Sequence, residues 1–143
     1  MKPLQESDLI AELRAKGISP SPQRLAIYGY LKTHATHPTA DVIMKELKGQ
    51  LPTLSLTTVY NTLKLFVSKN LVGEVIIEDG ELRFDSDMRS HAHFKCVRCQ
   101  QVIDLFPHGG ELEISNMPPL PEGFVVETTH VCLRGVCADC SKP

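Results

Sequence analysis

Up to Asn70, apolar side chains recur three and four positions apart, and the pattern is broken by recognisable stops. Leu9, Ile10 and Leu13 form one amphipathic stretch that ends at Lys16-Gly17, a basic last turn followed by a glycine stop. Ser21-Pro22 offers an N-cap with proline at the first helical position, and Leu25, Ile27, Tyr28 and Leu31 make the apolar face of a second helix. A third helix begins at Thr39-Ala40-Asp41, after Pro38, and carries Val42, Ile43 and Leu47. A fourth starts from Leu54-Ser55, runs to about Val67 and carries Val59, Leu63 and Phe66, with Tyr60 and Lys64 on its other flank.

After Asn70-Leu71 the period falls to two. Val72, Glu74, Ile76 and Glu78, then Glu81, Arg83 and Asp85, surround Asp79-Gly80, a strong hairpin signal. Helices followed by one small hairpin predict a winged helix-turn-helix DNA-binding domain over residues 1–84. In that plan the helix from Ser55 enters the major groove and the hairpin at 72–84 is the wing. The exposed side of the helix offers Thr57, Thr58, Tyr60, Asn61 and Lys64, and its Ser55 end points hydrogen-bond donors at phosphate. A solvated polar face on a core-packing helix would show the same pattern. Residues 85–90 are polar and read as a hinge. The remainder, 91–143, is strand-rich: Phe94 to Cys96, Val102 to Phe106 and Phe124 to Val136 are predicted strands, with a short helix at about Gly110 to Asn116. A rigid connection follows that helix at Met117-Pro118-Pro119-Leu120-Pro121. The predicted class is α+β.

Composition narrows the partners less than the motifs do. The 143 residues are 42% hydrophobic and 22% charged, an ordinary globular balance that allows one domain or two very small ones. The net charge is −2, and residues 1–86 hold ten basic against ten acidic side chains, so no basic field advertises nucleic acid. No stretch approaches the roughly 18 apolar residues of a membrane span, and Met1-Lys2-Pro3-Leu4 lacks the order of a signal peptide. A cytoplasmic protein without a membrane partner is expected.

The five cysteines carry more information. Cys96-Val97-Arg98-Cys99 and Cys137-Ala138-Asp139-Cys140 are two C-x-x-C pairs, each able to place two thiolates on one tetrahedral ion. Four thiolates close the coordination sphere, so the site would be structural. Residues 100–136 lie between the pairs, which makes the ion a staple for a small sheet rather than for a lone finger. A redox dithiol or buried thiols would be the alternative. Cys132 stands outside both pairs and reads as a half-buried strand residue.

A second constellation contains no sulfur. His91 and His93, two apart on a strand, point to one face and can share an ion. Asp85 precedes them, and Asp104 is a carboxylate inside the apolar run Val102-Ile103-Asp104-Leu105-Phe106, where an uncompensated buried charge would be costly. Any one of these residues alone would more naturally be a surface or hydrogen-bonded group.

Together these stretches resemble the ferric uptake regulator (Fur) family, most closely its peroxide-sensing PerR branch. The matching residues are Pro22-Gln23-Arg24, His37-Pro38-Thr39-Ala40-Asp41, Thr57 to Leu63, Arg83-Phe84-Asp85, His91-Ala92-His93-Phe94, Val102-Ile103-Asp104 and both cysteine pairs. The resemblance implies a homodimeric repressor of double-stranded operator DNA, with a winged-helix domain, a small α/β dimerisation domain and structural Zn(II) in Cys96, Cys99, Cys137 and Cys140. It also implies a regulatory Fe(II) or Mn(II) site formed by His37, Asp85, His91, His93 and Asp104. Such nitrogen and oxygen donors suit those ions. In proteins of this branch peroxide reacts at the open position on Fe(II), and the oxidant attacks a ligand histidine, by position His37 or His91. A regulator that reads metal without oxidation is the nearest alternative. A small metal-dependent hydrolase or oxygenase is disfavoured, because five protein ligands leave few positions for substrate.

The chain also departs from the family pattern. Ser90, Ala92 and Thr129 occupy the positions of a further metal site found in iron-sensing members, which leaves Glu111 without evident partners. Ser19 replaces a basic residue, shifting DNA contact toward Arg24, Tyr60 and Lys64.

Overall fold

The computed structural model describes residues 3–78 and 80–143, and its backbone separates into two compact units, Met1–Met88 and Arg89–Pro143. Four helices open the first unit: α1 (Glu6–Ala15), α2 (Pro22–Thr33), α3 (Ala40–Leu47) and α4 (Leu56–Ser68). Each of the last three starts at a hydroxyl cap. Ser21 accepts from Arg24 N at 3.2 Å, Thr39 from Val42 N at 3.3 Å and Ser55 from Thr58 N at 3.1 Å. Gly17 ends α1 at φ +74°, and Ile18 N donates back to Leu13 O at 2.9 Å. Asn70 ends α4 in the same way, at φ +56°, with Leu71 N donating to Phe66 O.

The apolar stripes of these helices meet in one core in which Leu13, Ile27, Ile43, Val59, Leu63 and Phe66 are fully buried. Strands β1 (Gly73–Glu78) and β2 (Glu81–Asp85) form an antiparallel hairpin, and Phe84 joins the core from β2. Val75 and Ile77 are buried while Ile76 faces outward. Of the turn signal, Asp79 lies outside the described residues; Gly80 has φ +80°. Phe84 N donates to Pro38 O at 3.1 Å and Thr39 bridges Arg83, so the connection before α3 is stitched to β2.

The second unit is a sheet of order β4-β3-β5, with β3 (Ala92–Cys96) antiparallel to β4 (Val102–Leu105) and parallel to β5 (Cys132–Gly135). A four-residue helix, α5 (Ala138–Ser141), closes the chain. The protein is therefore α+β. Among the described residues no helix is long and apolar enough to cross a membrane.

Two sequence expectations fail in the second unit. Residues 110–116 are not helical: Leu112 and Ile114 are two apart rather than three or four, Gly110 takes φ +85°, and Leu112 N bonds the Ser90 hydroxyl. The strand expected from Phe124 exists only from Cys132. Strand β3 begins at Ala92 and its contact with the last strand starts where His93 N donates to Val131 O, so residues 124–130 lie beyond the paired stretch. Phe124 and Val125 remain exposed, Val125 by 84%.

Candidate metal centres and nucleic-acid interface

The four paired cysteines meet in the second unit because the sheet brings two turns together. Strand β3 ends at Cys96, and a tight turn follows in which Gln100, at φ +67°, donates back to Cys96 O while Cys96 N donates to Gln101 O. Val97 N donates to Gly135 O at 2.8 Å, tying that turn to the end of β5. Gly135 lets the Phe94 ring pack close: a Cβ there would lie 3.3 Å from it. Cys137 follows at the start of α5, which carries Cys140, and Arg98 Nη1 donates to Cys140 O at 2.8 Å.

The four sulfurs lie within 4.8 Å of one another and none is in a disulfide. Bonds of about 2.3 Å to a tetrahedral ion place two sulfurs about 3.8 Å apart. Cys99 Sγ and Cys137 Sγ are 3.8 Å apart. Backbone N–H groups, that of Cys137 foremost, hold the Cys96 thiol down to about 6. The neighbouring Cys137 pushes Cys140 up to about 12. One thiolate is thus favoured while its neighbours resist adding charge beside it, and a divalent cation removes that conflict. The donor set fits a closed thiolate site. Cys132 lies outside the cluster, half-buried on β5.

The sulfur-free donors form a pair in the first unit and a triad in the second. His37 is 3% exposed and has φ +52°, a left-handed conformation that costs a non-glycine residue about 1–2 kcal/mol. The stitching of Pro38 and Thr39 to β2 holds it there. Its Nε2 lies 3.4 Å from Asp85 Oδ2, and Asp85 Oδ1 accepts from Asp87 N at 2.9 Å. In the second unit His93 sits opposite Asp104 in the β3–β4 register. His93 Nε2 is 3.4 Å from Asp104 Oδ1 and 3.0 Å from His91 Nε2, and His91 Nε2 is 3.6 Å from the same oxygen. Three donor atoms thus converge on one face of the sheet.

On α4, Thr57, Thr58, Asn61 and Lys64 are exposed and Tyr60 is 40% exposed, while Val59, Leu63 and Phe66 face the core. Ser55 Oγ caps the helix and also meets Thr58 Oγ1 at 2.9 Å. Arg24 is half-buried, one Nη donating to Ser19 O at 2.8 Å. Motif reading missed the groups that hold these sites: the Arg89 carbonyl beside His91, Arg98 on Cys140 O, and α5 itself. Cys137 makes no side-chain cap bond, so no capping signal announces α5.

Fold and donors define a two-unit α+β protein with a four-cysteine cluster and separate histidine–carboxylate groups. The ferric uptake regulator family model matches residues 15–120, and the chain belongs to that family. It is 37% identical over 135 residues to the peroxide operon regulator of Bacillus subtilis (strain 168), spanning 94% of this chain and 92% of that one. The structure of PerR from Streptococcus pyogenes, solved as a basis for peroxide sensing and gene regulation, matches with TM-score 0.52 and 28% identity, over 95% of this chain and 92% of the other. The Helicobacter pylori ferric uptake regulator Fur shares the fold, with TM-score 0.68 at 16% identity, over 100% of this chain and 99% of that one.

Proposed function

We propose that the protein is a cytoplasmic, homodimeric, metal-dependent repressor that binds double-stranded operator DNA and senses peroxide through oxidation of a regulatory histidine. One observation carries the reading: donors free of sulfur are divided between the two units, His37 and Asp85 on one and His91, His93 and Asp104 on the other. A single Fe(II) or Mn(II) ion held by all five would favour one arrangement of the units, so metal and DNA would stabilise the same state. Fe(II) held there would activate peroxide for attack on a ligand ring, and a ligand oxidised at His37 or His91 could no longer hold the ion. Zn(II) in Cys96, Cys99, Cys137 and Cys140 is structural in this reading.

Residues 1–84 act as a winged-helix domain, 85–90 as a hinge and 91–143 as the dimerisation domain. Helix α4 presents Thr57, Thr58, Tyr60, Asn61 and Lys64 to the major groove, Ser55 and Arg24 meet the backbone, and β1–β2 is the wing. Support for dimerisation comes from Phe124, Val125 and Val126, which a lone subunit leaves exposed. Relatedness to the B. subtilis peroxide operon regulator favours sensing of peroxide over sensing of metal alone.

The test is a titration of Fe(II), Mn(II) and Zn(II), without oxygen, against DNA duplexes selected from a random pool by the Mn(II)-loaded protein. Tight binding only with Fe(II) or Mn(II), lost for the Fe(II) form on peroxide, is expected. Equal affinity with and without added metal would overturn the proposal.

A further inference from the structure

The His91 ring is bounded by His93 and by two groups that no family motif singles out, Phe106 and Arg89. Phe106 follows β4 immediately and His91 precedes β3, each one position beyond the last register pair, Ala92 opposite Leu105. Alternation along the strand puts Phe106 on the same face as Asp104. The rings of His91 and Phe106 lie 4.8 Å apart at 32°, and the Arg89 guanidinium sits over Phe106 at 4.3 Å from its centroid. His93 meets another side of His91, centroids 4.6 Å apart at 65°. His91 Nδ1 is 2.6 Å from Arg89 O. A carbonyl only accepts, so Nδ1 carries the proton and Nε2 keeps its lone pair toward His93 and Asp104. The torsion that turns an imidazole is soft, and the tilted Phe106 ring adds to the Arg89 carbonyl in resisting its rotation. Phe106 is itself 43% exposed and contributes little to a core.

We propose that Phe106, clamped by Arg89, is a positioning residue that fixes His91 as an Nε2 ligand and thereby sets how oxidation divides between His91 and His37. The inference rests on the peroxide-sensing reading and extends it to the selection of the oxidised residue. In the step concerned the O–O bond of peroxide breaks. One oxygen replaces hydrogen at His91 Cε1, and the other leaves as water. The ring is oxidised by two electrons and peroxide is reduced by two.

The test compares wild type, Phe106→Ala and Phe106→Tyr, all with zinc retained. Two-dimensional nitrogen–proton spectra of the imidazoles, recorded without regulatory metal, should show His91 as the Nδ1–H tautomer in wild type and Phe106→Tyr, and as a mixture in Phe106→Ala. Mn(II) affinity should fall about tenfold in the alanine variant and return with tyrosine. At equal Fe(II) occupancy, peroxide should shift the added oxygen from the His91 peptide toward the His37 peptide in Phe106→Ala alone. An unchanged tautomer, affinity and oxygen distribution would overturn the proposal. Should wild type take up no oxygen at either histidine, the peroxide reading falls, and tautomer and Mn(II) affinity still decide the role of Phe106. Phe106→Leu, which keeps apolar bulk without the flat ring, makes the same comparison if the alanine variant fails to retain zinc.

Discussion

Serine in place of Cys96 removes one of four sulfurs and tests what holds the second unit together. Within Arg89–Pro143 the buried residues are Ala92, Lys95 and Cys96 alone. Burying the alanine and cysteine side chains contributes about 1 kcal/mol each, whereas ordering each residue costs about 1–2 kcal/mol. Structural zinc supplies folding free energy on the order of 10 kcal/mol, far more than these side chains can. Cys96 is central to that contribution: it is fully buried at the end of β3, and Cys137 N lies 3.4 Å from its sulfur. The first unit has its own apolar core and holds α1 to α4. Cys96→Ser should therefore bind no zinc and lose the dispersed amide signals of β3, β4 and β5, while keeping most helical circular dichroism and a separate thermal transition. Zinc release followed with a colorimetric chelator, together with amide spectra, reads both effects. A zinc-free variant that keeps the β3–β5 signals and remains dimeric would refute the reasoning.

Other perturbations separate the remaining roles. His37→Ala should leave zinc content and dimer intact but lower Mn(II) affinity by at least about tenfold and abolish metal-dependent DNA binding; anisotropy with labelled duplex checks this. Lys64→Ala should weaken DNA binding and reduce the salt slope by about 1 at unchanged melting temperature, whereas Leu63→Ala, in the core, should cost about 2–5 kcal/mol in urea unfolding. Tyr28 is buried and donates to the Glu12 carboxylate, and burial first, then this bond, raises its hydroxyl above the ordinary value of 10. Its stabilisation is present below that value and is lost as pH rises toward the folded one. Tyr28→Phe should thus cost about 1 kcal/mol at pH 8, with the gap from wild type narrowing above pH 10.

The sequence was most legible where local chemistry acts alone. Hydroxyl caps at Ser21, Thr39 and Ser55 and the left-handed stop at Gly17 mark helix ends through bonds within a few residues. Cysteine spacing likewise announced a four-thiol cluster. Long-range pairing was less visible. The strand expected at Phe124 needs a neighbour that β3 does not provide, and apolar composition cannot report that lack. In the helix expected at about Gly110 to Asn116, the apolar Leu112 and Ile114 are two apart, a spacing that does not make a helical face. His37 could be attached to the other donors only by family resemblance; its buried, left-handed conformation beside Asp85 depends on the stitch between Pro38 and Phe84. The Phe106–His91 contact lies just beyond the end of the β3–β4 pairing, which motif reading does not supply.

The central claim is that peroxide releases DNA by oxidising a regulatory histidine. The most direct measurement takes zinc-containing dimer loaded anaerobically with Fe(II) on duplex DNA, adds one equivalent of peroxide, and follows DNA release and peptide masses in the same sample. The account predicts loss of DNA in step with one added oxygen on the peptide bearing His37 or His91, and neither change in the Mn(II) form. DNA release without oxygen on either peptide, or oxygen with DNA binding intact, would contradict it.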